Sequence, residues 1–199
     1  MPMTEHPVAG PASAVDVTVD PLATPYFDYI LDGVRLDLAH LEPRGLTFFV
    51  KNLGRDLTVD VKFSNHCFTV DFDPAVHNPA HVIMDHKRPR AYDRERHALS
   101  RELPDMIAAL PNAAVYLTPS DRNYVYVARL VTPAGMVYPM YFHLRRARDT
   151  APRNLQMVVE SAYPVEDARA VLAGTTKISF AVLCAKVFKG ERIRPQARR

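Results

Sequence analysis

The sequence has no tryptophan, two cysteines and only seven glycines in 199 residues. Cys67 and Cys184 are too few and too far apart to form a disulfide framework, so a reducing cytoplasm is the expected location. No apolar run reaches the roughly 18 residues of a membrane span, so no membrane association is predicted. The N-terminus lacks the basic start and apolar core of a signal peptide. A phosphate-cradling glycine loop, G-x-S-x-G, Cys-x-x-Cys and a helix-turn-helix are also missing. Those absences argue against nucleotide-cofactor enzymes, serine hydrolases and groove-reading DNA binders. No cofactor is predicted, and no internal repeat is visible.

What is present is a chain of single-domain length, 48% hydrophobic and 24% charged, with 17 prolines. Its formal charge of +3 conceals a gradient. Residues 1–85 carry 5 Lys/Arg against 12 Asp/Glu, whereas residues 86–148 carry 11 against 5 and residues 149–199 carry 9 against 5. A basic half of this kind directs attention to a polyanionic partner, although it can also neutralise an acidic half inside one fold.

Residues 1–25 hold five prolines and no amphipathic period, which predicts a disordered or loosely docked lead-in. A single α+β domain over 26–190 follows, with a basic tail at 191–199. Its first part, 26–73, reads as a small antiparallel β unit, because Leu57, Val59, Val61 and Phe63 alternate with polar residues. Residues 74–92 read as a long loop. Asp93 is a helix N-cap, and Leu99, Leu103, Met106, Ile107 and Leu110 form one apolar helical face that Pro104 must kink or divide. Short turns then separate runs at 114–117, 123–131, 136–146 and 155–162, the pattern of a four-stranded antiparallel meander. A brief helical stretch at 165–172 leads to an extra C-terminal strand over 177–188, with Ile178, Phe180, Val182 and Cys184 on one face.

Helix followed by meander, ending in Val159-Glu160-Ser161-Ala162-Tyr163-Pro164, resembles the barnase–EndoU–colicin–RelE class of ribonucleases and toxins. In many phage-borne members the last core strand ends in a similar Thr/Ser-Ala-Tyr-Pro. The segments Asn65-His66-Cys67-Phe68-Thr69, Arg90-Ala91-Tyr92-Asp93-Arg94-Glu95-Arg96, Leu99-Ser100 and Leu103-Pro104 also resemble proteins labelled stationary phase growth adaptation. The ribonuclease resemblance covers residues 90–164. It implies a toxin-like, metal-independent endoribonuclease, with RNA and an antitoxin or other protein as partners, and it makes Ser161 a site residue. The alternative is a non-catalytic nucleic-acid- or protein-binding module.

RNA cleavage of this kind uses the 2′-hydroxyl as nucleophile, so the protein must move protons and stabilise a phosphorane, tasks for His or Glu beside Arg or Lys. Arg96 shares the apolar helix face and must therefore meet an anion there, either a bound phosphate or a carboxylate such as Glu160. His66 sits in a polar break after the alternating strand, as a general base or as a bulge histidine. His143 shares a strand face with Tyr141 and Arg145. The catalytic candidates are thus His66, Arg96, His143 and Ser161. The nucleic-acid-binding candidates are Arg88, Arg90, Ser100, Arg129, Tyr126, Tyr141 and Arg145, with Tyr124 a further stacking residue. A sheet with one merely solvated face competes with that surface. Metal binding is not the primary expectation, although His77, His81 and His86 near Cys67 form a weak alternative ligand set.

Overall fold

The computed structural model describes residues 14–20, 22, 24–118, 124–131, 136–148, 151, 153–191 and 193, with backbone only for 125–131 and 168. The strands are β1 Val15–Val19, β2 Ile30–Leu31, β3 Val34–Arg35, β4 Arg44–Val50, β5 Arg55–Phe63, β6 Thr69–Asp71, β7 Val82–Asp85 and β8 Arg88–Tyr92. They continue with β9 Ala114–Leu117, β10 Tyr124–Val131, β11 Val137–Arg146, β12 Leu155–Ala162 and β13 Thr176–Ser179. The helices are α1 Arg94–Ser100, α2 Leu103–Ala109, α3 Ala168–Leu172 and α4 Phe180–Lys189. The architecture is α+β.

Eight strands form one sheet in the order β1-β4-β5-β12-β11-β10-β9-β13. The β9 to β12 meander is antiparallel throughout, as its short turns predict. The β4–β5 hairpin does not stand apart as a separate unit. β5 lies parallel to β12, with Val59 opposite Leu155 and Phe63 opposite Val159, which splices the acidic third onto the basic meander. Alternation sets the two faces. Leu57, Val59, Val61 and Phe63 of β5, Leu155, Met157 and Val159 of β12, and Tyr138, Met140, Phe142 and Leu144 of β11 are all buried. Helix α4 lies on this face, with the Phe180 ring 5.7 Å from that of Phe48 and 6.1 Å from that of Phe142.

The kinked helix of the sequence is two helices. Asp93 caps the first by accepting the Arg96 amide at 2.7 Å, and Pro104 falls in the first turn of the second, where a missing N–H costs nothing. Leu103, Met106, Ile107 and Leu110 then enter the core.

Three expectations need correction. The stretch read as a lead-in contains β1, which pairs with β4 and is held by Arg153. The Arg153 guanidinium bonds both carboxylate oxygens of Asp20, and its Nη1 also reaches Asp60 at 3.0 Å. It passes so close over Gly45 that a Cβ there would sit 2.9 Å from its Nη2 and from the Thr18 hydroxyl. The stretch read as a long loop, 74–92, carries the β7–β8 hairpin, which with β6 makes a three-stranded sheet. Its two-residue turn, His86-Lys87, puts His86 at φ 53°, a conformation usually left to Gly or Asn. Finally, only Thr176–Ser179 of the C-terminal run is strand, and from Phe180 the chain is helical until Gly190 adopts a left-handed φ of 71°. Among the described residues, no helix is long and apolar enough to cross a membrane.

Candidate functional site

The face of the sheet opposite α4 is built by residues one step out of phase with the core. On β11 these are Tyr141, His143 and Arg145, and on β12 they are Gln156 and Val158. Register aligns Tyr141 with Ser161 and His143 with Val158, and an irregularity between them at Tyr141/Phe142 brings Glu160 into the same row. His143 Nε2 lies 2.7 Å from Glu160 Oε1, and the two side chains are 41% and 37% exposed, so solvent or a ligand reaches both. A groove of about 330 Å³ runs beside this pair, lined by His143, Leu144, Arg145, Gln156, Val158 and Glu160. A second, also about 330 Å³, shares Arg145 and Gln156 and adds Arg146 and Arg148. Gln156 accepts a hydrogen bond from Arg145 Nε at 3.0 Å, which fixes the guanidinium over the junction of the two grooves.

A second cluster closes the lower end of this row. Arg96 is part-buried, and its Nη1 donates to the carbonyl oxygens of His66 at 3.3 Å and Thr69 at 3.0 Å. Its guanidinium lies 5.1 Å from the centre of the Tyr163 ring. Tyr163 in turn stacks on Tyr141, with centroids 5.4 Å apart and an interplanar angle of 17°. Burial, and a hydrogen bond with the Tyr163 hydroxyl, push the Tyr141 phenol well above its ordinary pKa. The expectation that Arg96 meets a protein carboxylate such as Glu160 is therefore corrected. Two backbone carbonyls and an aromatic face take the charge, and Glu160 serves His143 instead.

His66 occupies a single 3-10 turn after β5, and its Nε2 lies 2.8 Å from Asp85 Oδ2 on the β7 strand. Its imidazole is thus turned to the small sheet, and only its carbonyl, through Arg96, joins the row of His143 and Ser161. Its neighbour Cys67 is fully buried, which pushes its thiol up to about 12.

Two binding candidates are structural. Arg90 is buried, with Nε on the Thr69 hydroxyl at 2.7 Å, Nη1 on Asp71 at 2.6 Å and Nη2 on the Thr69 carbonyl at 3.0 Å, so its donors are spent inside the protein. Ser100 is fully buried, donates to the His97 carbonyl at 2.7 Å and meets His40 Nε2 at 2.7 Å. With the Ser100 proton committed to His97, His40 Nε2 must donate, which leaves His40 Nδ1 bare and buried, without a partner among the described residues. Burial, with Arg101 and His97 nearby, lowers the His40 pKa to about 4.

Tyr124 is buried too, its ring 5.6 Å from that of Phe142 on the core face, and offers no stacking surface. The side chains of Tyr126 and Arg129 lie outside the described residues. Arg88 is exposed at the tip of the β7–β8 hairpin. The histidines of the alternative ligand set are dispersed. His77 Nδ1 accepts the Asp73 amide at 2.9 Å, His81 Nε2 lies 2.8 Å from Asp32, and His86 sits in the exposed hairpin turn. Among the described residues, no group of three or more His, Cys, Asp or Glu is placed to hold a metal ion.

Sequence reasoning named His143, Tyr141, Arg145 and Ser161 but missed the role of Glu160, Tyr163, Arg146, Arg148 and Gln156. Strand parity points at Gln156 across from Arg145, and the break in alternation at Val159-Glu160-Ser161 is the signal that could have found Glu160.

The YjaZ family model matches residues 26–188, well over half of the chain, and the chain belongs to that family. No curated protein and no solved structure matches it at a significant level.

Proposed function

We propose that this member of the YjaZ family is an endoribonuclease that cleaves RNA by transphosphorylation on the open face of its sheet. The observation that carries this reading is the half-exposed His143–Glu160 pair at 2.7 Å, set beside grooves lined by Arg145, Arg146 and Arg148. With Nε2 engaged by Glu160, Nδ1 of His143 is the nitrogen left for substrate. It takes the proton of a ribose 2′-hydroxyl as that oxygen attacks the adjacent phosphorus. The O2′–P bond forms, the P–O5′ bond breaks, and the imidazolium returns its proton to O5′. The products are a 2′,3′-cyclic phosphate and a 5′-hydroxyl. Glu160 holds the ring and balances the imidazolium charge, and Arg145 faces the extra negative charge of the phosphorane. No step in this sequence calls on a metal ion. We place the activity in the cytoplasm, a setting supported by two free, buried cysteines.

The test is incubation of the full chain with total RNA in excess EDTA. We expect cleavage to 2′,3′-cyclic ends that is lost in His143→Gln and weakened in Glu160→Gln. Intact RNA, or cleavage indifferent to both substitutions, rejects the proposal. A second reading, a nucleic-acid-binding module without catalysis, is favoured by the arginine-lined groove taken alone. Salt-sensitive RNA binding that is unchanged in His143→Gln and brings no cleavage would select it.

A further inference from the structure

The geometry points to single-stranded RNA as the substrate of this site, with one unpaired base stacked on Tyr141 at the level of the His143–Glu160 pair. This inference rests on the reading of the open face as an RNA site.

It follows from the direction of an aromatic column. Register sets Met140 opposite Ala162 and Val137 opposite Val165, so Tyr163 stands beside Pro139, at the foot of β11. Tyr141 is one same-face step further up, and His143 is the next, each step roughly 7 Å along the strand. The stack therefore ascends from the Arg96 guanidinium to Tyr163 and then Tyr141, layer on layer, toward His143. Tyr163 thus meets both a guanidinium and a ring. Among the described residues, no other ring lies against Tyr141, and the groove begins at His143, one same-face step beyond it. The next layer of the column falls where the groove opens, over the half-exposed Val158 and beside His143 and Glu160.

A flat π-system suits that layer, and a polyanionic backbone suits Arg145 further along the same face and Arg148 in the adjoining groove. A base paired in a duplex has both of its faces covered by neighbours and cannot enter a column built from protein rings. A splayed single strand can, and its sugar–phosphate then crosses the His143–Glu160 pair. Arg96 and Tyr163 are positioning residues here, because they fix the plane of Tyr141 without touching RNA.

The full chain is titrated with a short single-stranded RNA whose riboses are 2′-O-methylated to block cleavage, carrying 2-aminopurine at successive positions. The same strand is tested annealed to its complement. We expect the single strand to bind at least tenfold more tightly than the duplex, with strong quenching of 2-aminopurine at one position. Tyr141→Leu, which keeps an apolar side chain but no aromatic face, is expected to lose roughly 5- to 150-fold in affinity and the quench with it. Tyr141→Phe is expected to keep both. Equal affinity for duplex, no quench at any position, or quenching that survives in Tyr141→Leu overturns the stacked base while leaving an RNA-binding face. If Tyr141→Leu fails to fold, quenching in the wild-type chain and in Tyr141→Phe still decides the matter. No binding of either RNA, together with no cleavage of total RNA, overturns the RNA reading itself.

Discussion

On a single strand, β11, Tyr138, Met140, Phe142 and Leu144 are sealed against the core while Tyr141, His143 and Arg145 turn to the other face, where His143 and Arg145 line a groove. The two sets interleave residue by residue, yet they answer to different demands. The inner set fills space at close-packed density, and the outer set keeps charge and hydrogen-bonding capacity within reach of a ligand. Period-two geometry lets one strand serve both, so substitutions at adjacent positions should separate stability from activity.

The sharpest way to break that separation is at the inner face. Phe142→Ala removes a fully buried ring in contact with Tyr124 and Phe180, and is expected to cost about 3–5 kcal/mol in urea unfolding. If it left stability intact, the division of labour would be wrong. Gly45→Ala tests the outer face where it is not open. The new methyl group collides with Arg153 and Thr18, and a loss of about 1–3 kcal/mol is expected, with hydrogen exchange rising first in β1.

A smaller effect is expected from pH. His40 is held neutral in the fold to about pH 4, whereas in the unfolded chain it takes a proton near its usual 6.5. Between those values the unfolded state binds more protons, so stability present above pH 6.5 drains as pH falls toward 4. The unfolding free energy from urea titration should fall between pH 7 and 5 by about 1–2 kcal/mol more in wild type than in His40→Gln. The smallest stability change belongs to His143→Gln, within about 0.5 kcal/mol of wild type, alongside a drop in RNA cleavage of roughly 10²- to 10⁴-fold. A large stability loss there would show that the outer row is structural after all.

The meander and the divided helix were legible because local chemistry specifies them: short turns, the Asp93 cap and Pro104. The C-terminal run misled because one set of letters fits two periods. Ile178, Phe180, Val182 and Cys184 alternate, but Phe180, Leu183, Cys184 and Val187 recur at helical spacing, and packing on Phe48 and Phe142 decides for the helix. The β7–β8 hairpin escaped notice because His86-Lys87 lacks the Asn-Gly signature of its turn. At the site, parity on β11 grouped Tyr141, His143 and Arg145 correctly. The partners of Arg96 and His143 were not legible, because they depend on an irregularity in β12 and on a turn brought in from another part of the chain.

The parallel seam between β5 and β12 also bears on how the protein is made. During synthesis the β4–β5 hairpin is complete long before Leu155–Val159 emerges to pair with Val59–Phe63. Throughout that interval the nascent chain presents an unpaired strand edge beside the bare apolar face of Leu57, Val59, Val61 and Phe63, which invites strand-to-strand association between neighbouring ribosomes. A chain cut short between the two strands would keep that edge and that apolar face exposed together.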